Sequence, residues 1–215
     1  MKLAERLAGA IAAGVHRIGQ VSIEADAGGY TLRHIDDEGV PLTELELHED
    51  PEKARDICTW AADGHYRFTK GELSLIRGWA LKLTSADELK QALDLFYPAA
   101  IGLHFAAQDN RIEVEHLRTK LNRQTGMYRF ARNLSDAGAQ DLVKEVCGPG
   151  NCCVKKILWQ IDEATPLEDS EASRYDGVVD GIAPDAAIPL LCQEACNHFV
   201  AEARKASKAE ADAAR

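Results

Sequence analysis

The residues that could do chemistry in this chain are its thiols. Five of its six cysteines fall in two stretches, Cys147-Gly148-Pro149-Gly150-Asn151-Cys152-Cys153 and Cys192-Gln193-Glu194-Ala195-Cys196, while Cys58 stands apart. The Gly-Pro-Gly run is foreign to a helix or strand interior, so the first stretch predicts a tight loop. The second lies in a strongly helical run, where its spacing predicts two sulfurs on one helix face, one turn apart. Thiols on a loop facing thiols on a helix describe a cage for a metal or a metal cluster.

Three readings of that cage stand side by side. Zinc favours knuckles with two residues between thiolates. Here the gaps are four or five residues in the loop, 38 or 39 between stretches, and three in the second stretch. An iron–sulfur cluster is larger than one ion, is held by four thiolates and accepts wider ligand spacing. Backbone N–H groups around the loop glycines could also donate to its sulfides. The third reading is neither of these, with disulfides disfavoured by the expected reducing compartment. The radical-SAM spacing is absent, because Asn197, His198 and Phe199 follow Cys196.

Several elements must position the thiols. A helix starting at Ser135-Asp136, with Leu142, Val143 and Val146 on one side, runs directly into Cys147. Pro189 is expected to open the last helix, which then carries Cys192, Cys196, Phe199 and Val200. Val154 to Ile161 reads as a strand or short helix. Residues 162 to 187 are acidic and turn-rich, a long loop of the kind that covers something. After Val200 no large apolar residue follows, which predicts a solvated helical extension.

Upstream, Leu3, Leu7, Ile11, Val15 and Ile18 form the stripe of an amphipathic helix. Glu5 and Arg6 break the apolar run a signal peptide would need. Val21, Ile23 and Ala25, then Tyr30 to Ile35, then Leu45 and Leu47 predict a small antiparallel meander. Asp50-Pro51 opens a helix with Ala54, Ile57, Cys58 and Ala61 inward, ending near Gly64, which makes Cys58 a packing thiol. Tyr66 to Phe68, Leu73 to Ile76 and Trp79 to Leu83 are further strands. Ser85 to Glu88 is a capping box for a helix burying Leu89, Ala92, Leu93 and Phe96. Ala99 to Ala107 is apolar, with His104 read as a hydrogen-bonded core residue. Ile112, Val114, Leu117 and Leu121 continue at helical spacing.

Composition narrows the field. With 215 residues, 46% hydrophobic, the chain can bury a real core. Its formal charge of −10 argues against nucleic acid as partner. No apolar run approaches the roughly 20 residues of a membrane helix. The expected location is the cytoplasm, where clustered cysteines stay reduced and bind metals more often than they pair.

The segments Cys147 to Trp159 (Cys-Gly-Pro-Gly-Asn-Cys-Cys-Val-Lys-Lys-Ile-Leu-Trp) and Leu191 to Ala201 (Leu-Cys-Gln-Glu-Ala-Cys-Asn-His-Phe-Val-Ala) resemble a known family. They are similar to the C-terminal iron–sulfur domain of long CbiX-type, sirohydrochlorin-chelatase-like proteins of Deinococcus and its relatives. In that family a stabilising domain precedes a domain holding a 4Fe–4S cluster on four cysteines. The resemblance implies an α+β fold: a small α+β stabilising domain over residues 1–95, a mainly helical cluster domain over 96–206, and a solvated tail over 207–215. The first of these matches only in order and size. As ligands it implies Cys147, Cys153, Cys192 and Cys196, with Cys152 the alternative to Cys153. Cys153 is favoured because it stands six residues before Trp159 with Lys155-Lys156 between. The family's chelatase domain has no counterpart here, so metal insertion is not implied.

A run of cations lies near the thiols: Arg111, Arg118, Lys120, Arg123, Arg129 and Arg132, with Lys155 and Lys156 after the loop. They form either a solvated face or a dock for carboxylates, belonging to a tetrapyrrole or an acidic redox partner. Three functions follow. The first is a redox or accessory protein linked by resemblance to cobalamin or sirohaem biosynthesis, serving a redox partner or a chelatase-like protein. The second is a scaffold with a structural cluster, and the third a reductase acting on a tetrapyrrole.

Overall fold

The computed structural model describes residues 2–60, 64, 75–112, 115–147, 155–158, 161–162, 164 and 186–214, without the side chains of 156 and 157. The expected strand at Tyr66–Phe68, the first half of that at Leu73–Ile76, Ala61, Val114, Trp159, the Cys152-Cys153 doublet and most of the acidic stretch lie outside these residues. In chain order the elements are α1 (Leu3–Ala12), β1 (Arg17–Ile18), β2 (Val21–Asp26), β3 (Gly29–His34), β4 (Glu46–His48), α2 (Lys53–Thr59), β5 (Trp79–Leu83), α3 (Ala86–Phe96) and α4 (Ala100–Gln108). There follow α5 (Leu117–Asn122), a 3₁₀ helix (Gly126–Asn133), α6 (Asp136–Cys147), β6 (Lys156–Ile157), β7 (Ala187–Ile188), β8 (Leu191–Cys192) and α7 (Asn197–Ala213). The fold is α+β. Among the described residues no helix is long and apolar enough to cross a membrane.

The chain forms two compact units, Met1–Arg111 with Asp176–Leu190, and Ile112–Tyr175 with Leu191–Arg215. The sequence boundary at 95/96 falls inside α3, and the first unit runs on through α4. That unit is a sheet in the order β4-β5-β3-β2-β1-β7. Strands β2 and β3 are the predicted antiparallel pair, Val21 opposite His34 and Asp26 opposite Gly29. Gly29 has φ +135°, and a Cβ there would stand 2.1 Å from the Leu83 carbonyl oxygen, so only glycine fits the turn.

The meander stops there. β4 pairs parallel with β5 instead of returning antiparallel to β3, and Leu47 is 44% exposed. Of the alternation read there, Leu45 is buried just before the strand while Leu47 lies on an exposed edge. Helix α1 also ends sooner than its stripe: Gly14, at φ +116°, breaks the helix, and Ile18 enters β1. Helix α2 starts at Lys53, after a turn in which Asp50 Oδ1 accepts from Glu52 N at 2.9 Å.

α3 packs on this sheet because its capping and periodicity agree. Ser85 Oγ accepts from Glu88 N at 3.2 Å, and Leu89, Ala92, Leu93 and Phe96 are buried. Phe96 stacks on Trp79 with ring centres 5.1 Å apart. Cys58 joins this core, 2% exposed, its thiol donating to the carbonyls of Arg55 (3.2 Å) and Leu95 (3.5 Å).

His104 on α4 is a buried core histidine. Burial, with the Arg6 charge adding to it, holds its pKa down to about 4. The folded chain therefore keeps it neutral where the unfolded chain, near the usual 6.5, takes up a proton. Its effect on stability is absent above the unfolded value and grows as pH falls toward the folded one, so acid destabilises. Discounted for its partial contact with solvent, the loss is about 2 kcal/mol. With urea midpoints measured from neutral pH downward, that of wild type should fall relative to that of His104→Leu on acidification. Parallel curves would show that His104 does not titrate with unfolding.

Candidate metal centre

The second unit surrounds one core: Leu117 and Leu121 of α5, Ala131, Leu134, then Ala139, Leu142, Val143 and Val146 of α6, Ile161, and Phe199, Val200 and Ala203 of α7. Helix α7 lies against both the 3₁₀ helix and α6. Cys147, Cys192 and Cys196 all pack, half-buried, against this core.

Cys147 is the last residue of α6, as the Leu142-Val143-Val146 stripe predicts. Cys192 and Cys196 differ from expectation. They do not share a helix face. Leu191–Cys192 is a strand in parallel pairing with Lys156–Ile157, and the Cys192 carbonyl accepts from Leu158 N at 2.8 Å. Cys196 is the N-cap of α7, extended at φ −64°, ψ 163°, its sulfur accepting from Phe199 N at 3.4 Å. The parallel partner Lys156–Ile157 explains the change at Cys192: it draws Leu191–Cys192 flat, with Leu191 buried.

The electrostatics suit anionic sulfur unevenly. Burial pushes the Cys192 thiol up, while a backbone hydrogen bond at Glu194 and the Lys155 charge pull it down and Cys196 pushes it further up. Cys196 sits at the positive end of a 17-residue helix, which favours a thiolate and any anion it ligates. Cys147 is at the opposite, negative end of its own helix. The Gly-Pro-Gly loop that leaves Cys147 lies outside the described residues.

Among the described residues no three His, Cys, Asp or Glu side chains close around a point that would hold a single metal ion. The donor set that borders the core is all sulfur, free of disulfides and drawn from α6, β8 and the cap of α7. That set fits a cluster, whose iron atoms lie between the sulfurs.

The cations separate into two groups. Arg118 is structural: it donates to the carbonyls of Leu134 (3.0 Å) and Arg132 (3.4 Å) and pairs with Asp136 at the start of α6. Lys120 and Arg123 pair with Glu115 at 3.1 and 2.5 Å. Arg111 belongs to the first unit, where it pairs with Asp109. Arg129 and Arg132 are exposed on the 3₁₀ helix. Lys155 is half-buried near Cys192, and the Lys156 side chain lies outside the described residues.

The stretch 207–215, expected as a solvated tail, continues α7 to Ala213. Ser207 is buried, and Glu210 accepts from Ser135 N (3.0 Å) and Oγ (2.6 Å) ahead of α6. Small residues, Ala203, Ala206 and Ser207, let the helix approach its neighbours without any large apolar side chain.

Residues 4–108 match the family model of the DR2241 stabilising domain, and residues 109–205 match that of a 4Fe-4S iron-sulfur cluster binding domain. No curated protein matches the chain. Among solved structures it is similar to DR2241 from Deinococcus radiodurans, described as a multi-domain protein with structural similarity to chelatases and two additional novel domains. The TM-score is 0.70 at 26% identity, over 95% of this chain and 42% of that one. The chain thus spans less than half the length of that protein. Its cofactor is a 4Fe–4S cluster, held by the second domain.

Proposed function

We propose that this chain, a DR2241-type stabilising domain followed by a 4Fe–4S cluster-binding domain, is a redox or accessory protein of tetrapyrrole metabolism that works in the cytoplasm. The observation that carries the ligand assignment is that three cysteines, Cys147, Cys192 and Cys196, pack on the margin of one core inside the cluster-binding domain. Cys153, or Cys152 in its place, supplies the fourth. The bound cluster supplies one-electron chemistry. The chain's own residues set its surroundings: the α7 N-terminus favours negative charge at Cys196, Lys155 does the same at Cys192, and the core seals one side from water. The link to tetrapyrroles rests on the chelatase-like neighbour.

A second reading has its own support. Strand β8 and helices α6 and α7 each place a thiol on the same core, so a cluster there would staple them together and could serve structure alone. Anaerobic purification separates the readings. The redox reading expects brown protein with about four irons and four sulfides per chain, whose visible absorbance bleaches with dithionite and returns in air-free oxidant. A cluster that resists reduction while its removal unfolds the second domain would favour the staple. Zinc without acid-labile sulfide would remove both.

A further inference from the structure

Side chains three apart eclipse in a 3₁₀ helix, so Gly126–Asn133 sorts its residues onto three faces. Tyr128 and Ala131 turn to the second core, Ala131 with no exposed surface. Met127 and Phe130 share the next face and stand open, 59% and 45% exposed. Arg129 and Arg132 share the third, and the Arg129 guanidinium carbon lies 4.8 Å from the centre of the Phe130 ring. Unlike Arg118, Lys120 and Arg123, these two arginines make no ion pair among the described residues.

An aromatic ring, a methionine and two guanidinium groups side by side have the composition of an interface centre, where Met, aromatics and Arg are enriched. We propose that this double ridge docks an acidic electron-transfer protein, the partner that exchanges electrons with the cluster domain. The proposal rests on the redox reading above. Three features choose that occupant. The ridge projects as an exposed helix surface, whereas small-molecule sites are concave, which disfavours a free tetrapyrrole. A second copy docking isologously would set Arg129 and Arg132 against their own counterparts, which like-charge repulsion opposes. An acidic partner, repelled by the rest of the surface, is steered to the place where exposed cations flank an apolar anchor. The 3₁₀ helix that carries the ridge and the three thiols border the same core, within a unit whose radius is on the order of 13 Å for about 100 residues.

The test is a titration of cluster-loaded protein with an acidic plant-type 2Fe–2S ferredoxin. Wild type should bind at about 0.01 M salt and lose most of its affinity at about 1 M, as the Debye length shrinks from roughly 30 to 3 Å. Arg129→Glu with Arg132→Glu should weaken low-salt binding at least about tenfold, and Phe130→Ser should weaken it by about tenfold at either salt. Iron, sulfide and the visible spectrum should be unchanged in both variants. No binding by loaded wild type, or equal binding by the charge reversal, overturns the dock and leaves the redox reading intact. Sedimentation showing wild type self-associated and Phe130→Ser monomeric would give the ridge to a second copy. Displacement of the ferredoxin by a sirohydrochlorin-like tetrapyrrole would give it to that ligand. Protein with no reducible cluster removes the redox reading and the dock with it.

Discussion

Cys196→Ser is expected to lose most of the iron, from about four atoms per chain toward zero, while the helix it caps stays formed. The thiol at this position has two separable roles. As N-cap it accepts a hydrogen bond from Phe199 N, which serine performs at least as well. As ligand it offers a thiolate, which serine lacks. Cys196→Ala removes both roles and should add a stability loss of about 1 kcal/mol. Cys147→Ala and Cys192→Ala should each abolish cluster binding, since four thiolates hold the cube. One of Cys152→Ala and Cys153→Ala should do so and the other should not. Cys58→Ala should keep its iron, because that thiol is engaged with the Arg55 and Leu95 carbonyls in the other unit's core. Iron and acid-labile sulfide on anaerobic protein decide the matter, with circular dichroism as the folding control. Full iron in Cys196→Ser, or iron lost from Cys58→Ala, would overturn the ligand set.

What the sequence shows and hides follows from range of interaction. Elements set by local chemistry are legible. The Ser85 cap and the Leu89–Phe96 stripe give α3, and the stripe of Leu142, Val143 and Val146 leads α6 straight into Cys147. The second thiol pair is not legible in the same way. Four-residue spacing in a run of helix formers looks helical, yet the strand partner that flattens Leu191–Cys192 comes from Lys156–Ile157, far away in the chain. The same holds for β7, two residues long, which pairs parallel with β1 and returns the chain to the first unit's sheet. Strands that short carry no period to read. The basic run shows the converse limit. Arg118 and Arg132 look equivalent in sequence, but only the fold shows Arg118 clamping Leu134 and Asp136 while Arg132 faces water. Met127 and Phe130 pass unnoticed because a period of three, not 3.6, puts them together.

Phe199→Ala is expected to be the most damaging change in the second unit. The ring is 1% exposed and packs among residues from α5, α6 and α7. Truncating a buried phenylalanine costs about 3–5 kcal/mol, because the lost transfer energy is joined by that of the cavity left behind. Against a total of roughly 5–15 kcal/mol for a domain, this is a large fraction. With a urea slope of about 1–3 kcal/mol per molar, the midpoint should fall by about 2 M. The residue also couples packing to the metal centre: its side chain anchors the first turn of α7, and its N–H meets the Cys196 sulfur. Loosening that turn should speed cluster loss in parallel, so absorbance should bleach at lower urea than in wild type. Phe199→Leu keeps most of the volume and should recover more than half of the midpoint. Lys208→Ala, exposed on the same helix, should stay within about 0.5 kcal/mol of wild type. If Phe199→Ala shifts the midpoint no more than Lys208→Ala does, α7 is not anchored by this ring. If it unfolds the helix while the cluster stays bound, Cys196 is not held by the turn that Phe199 anchors.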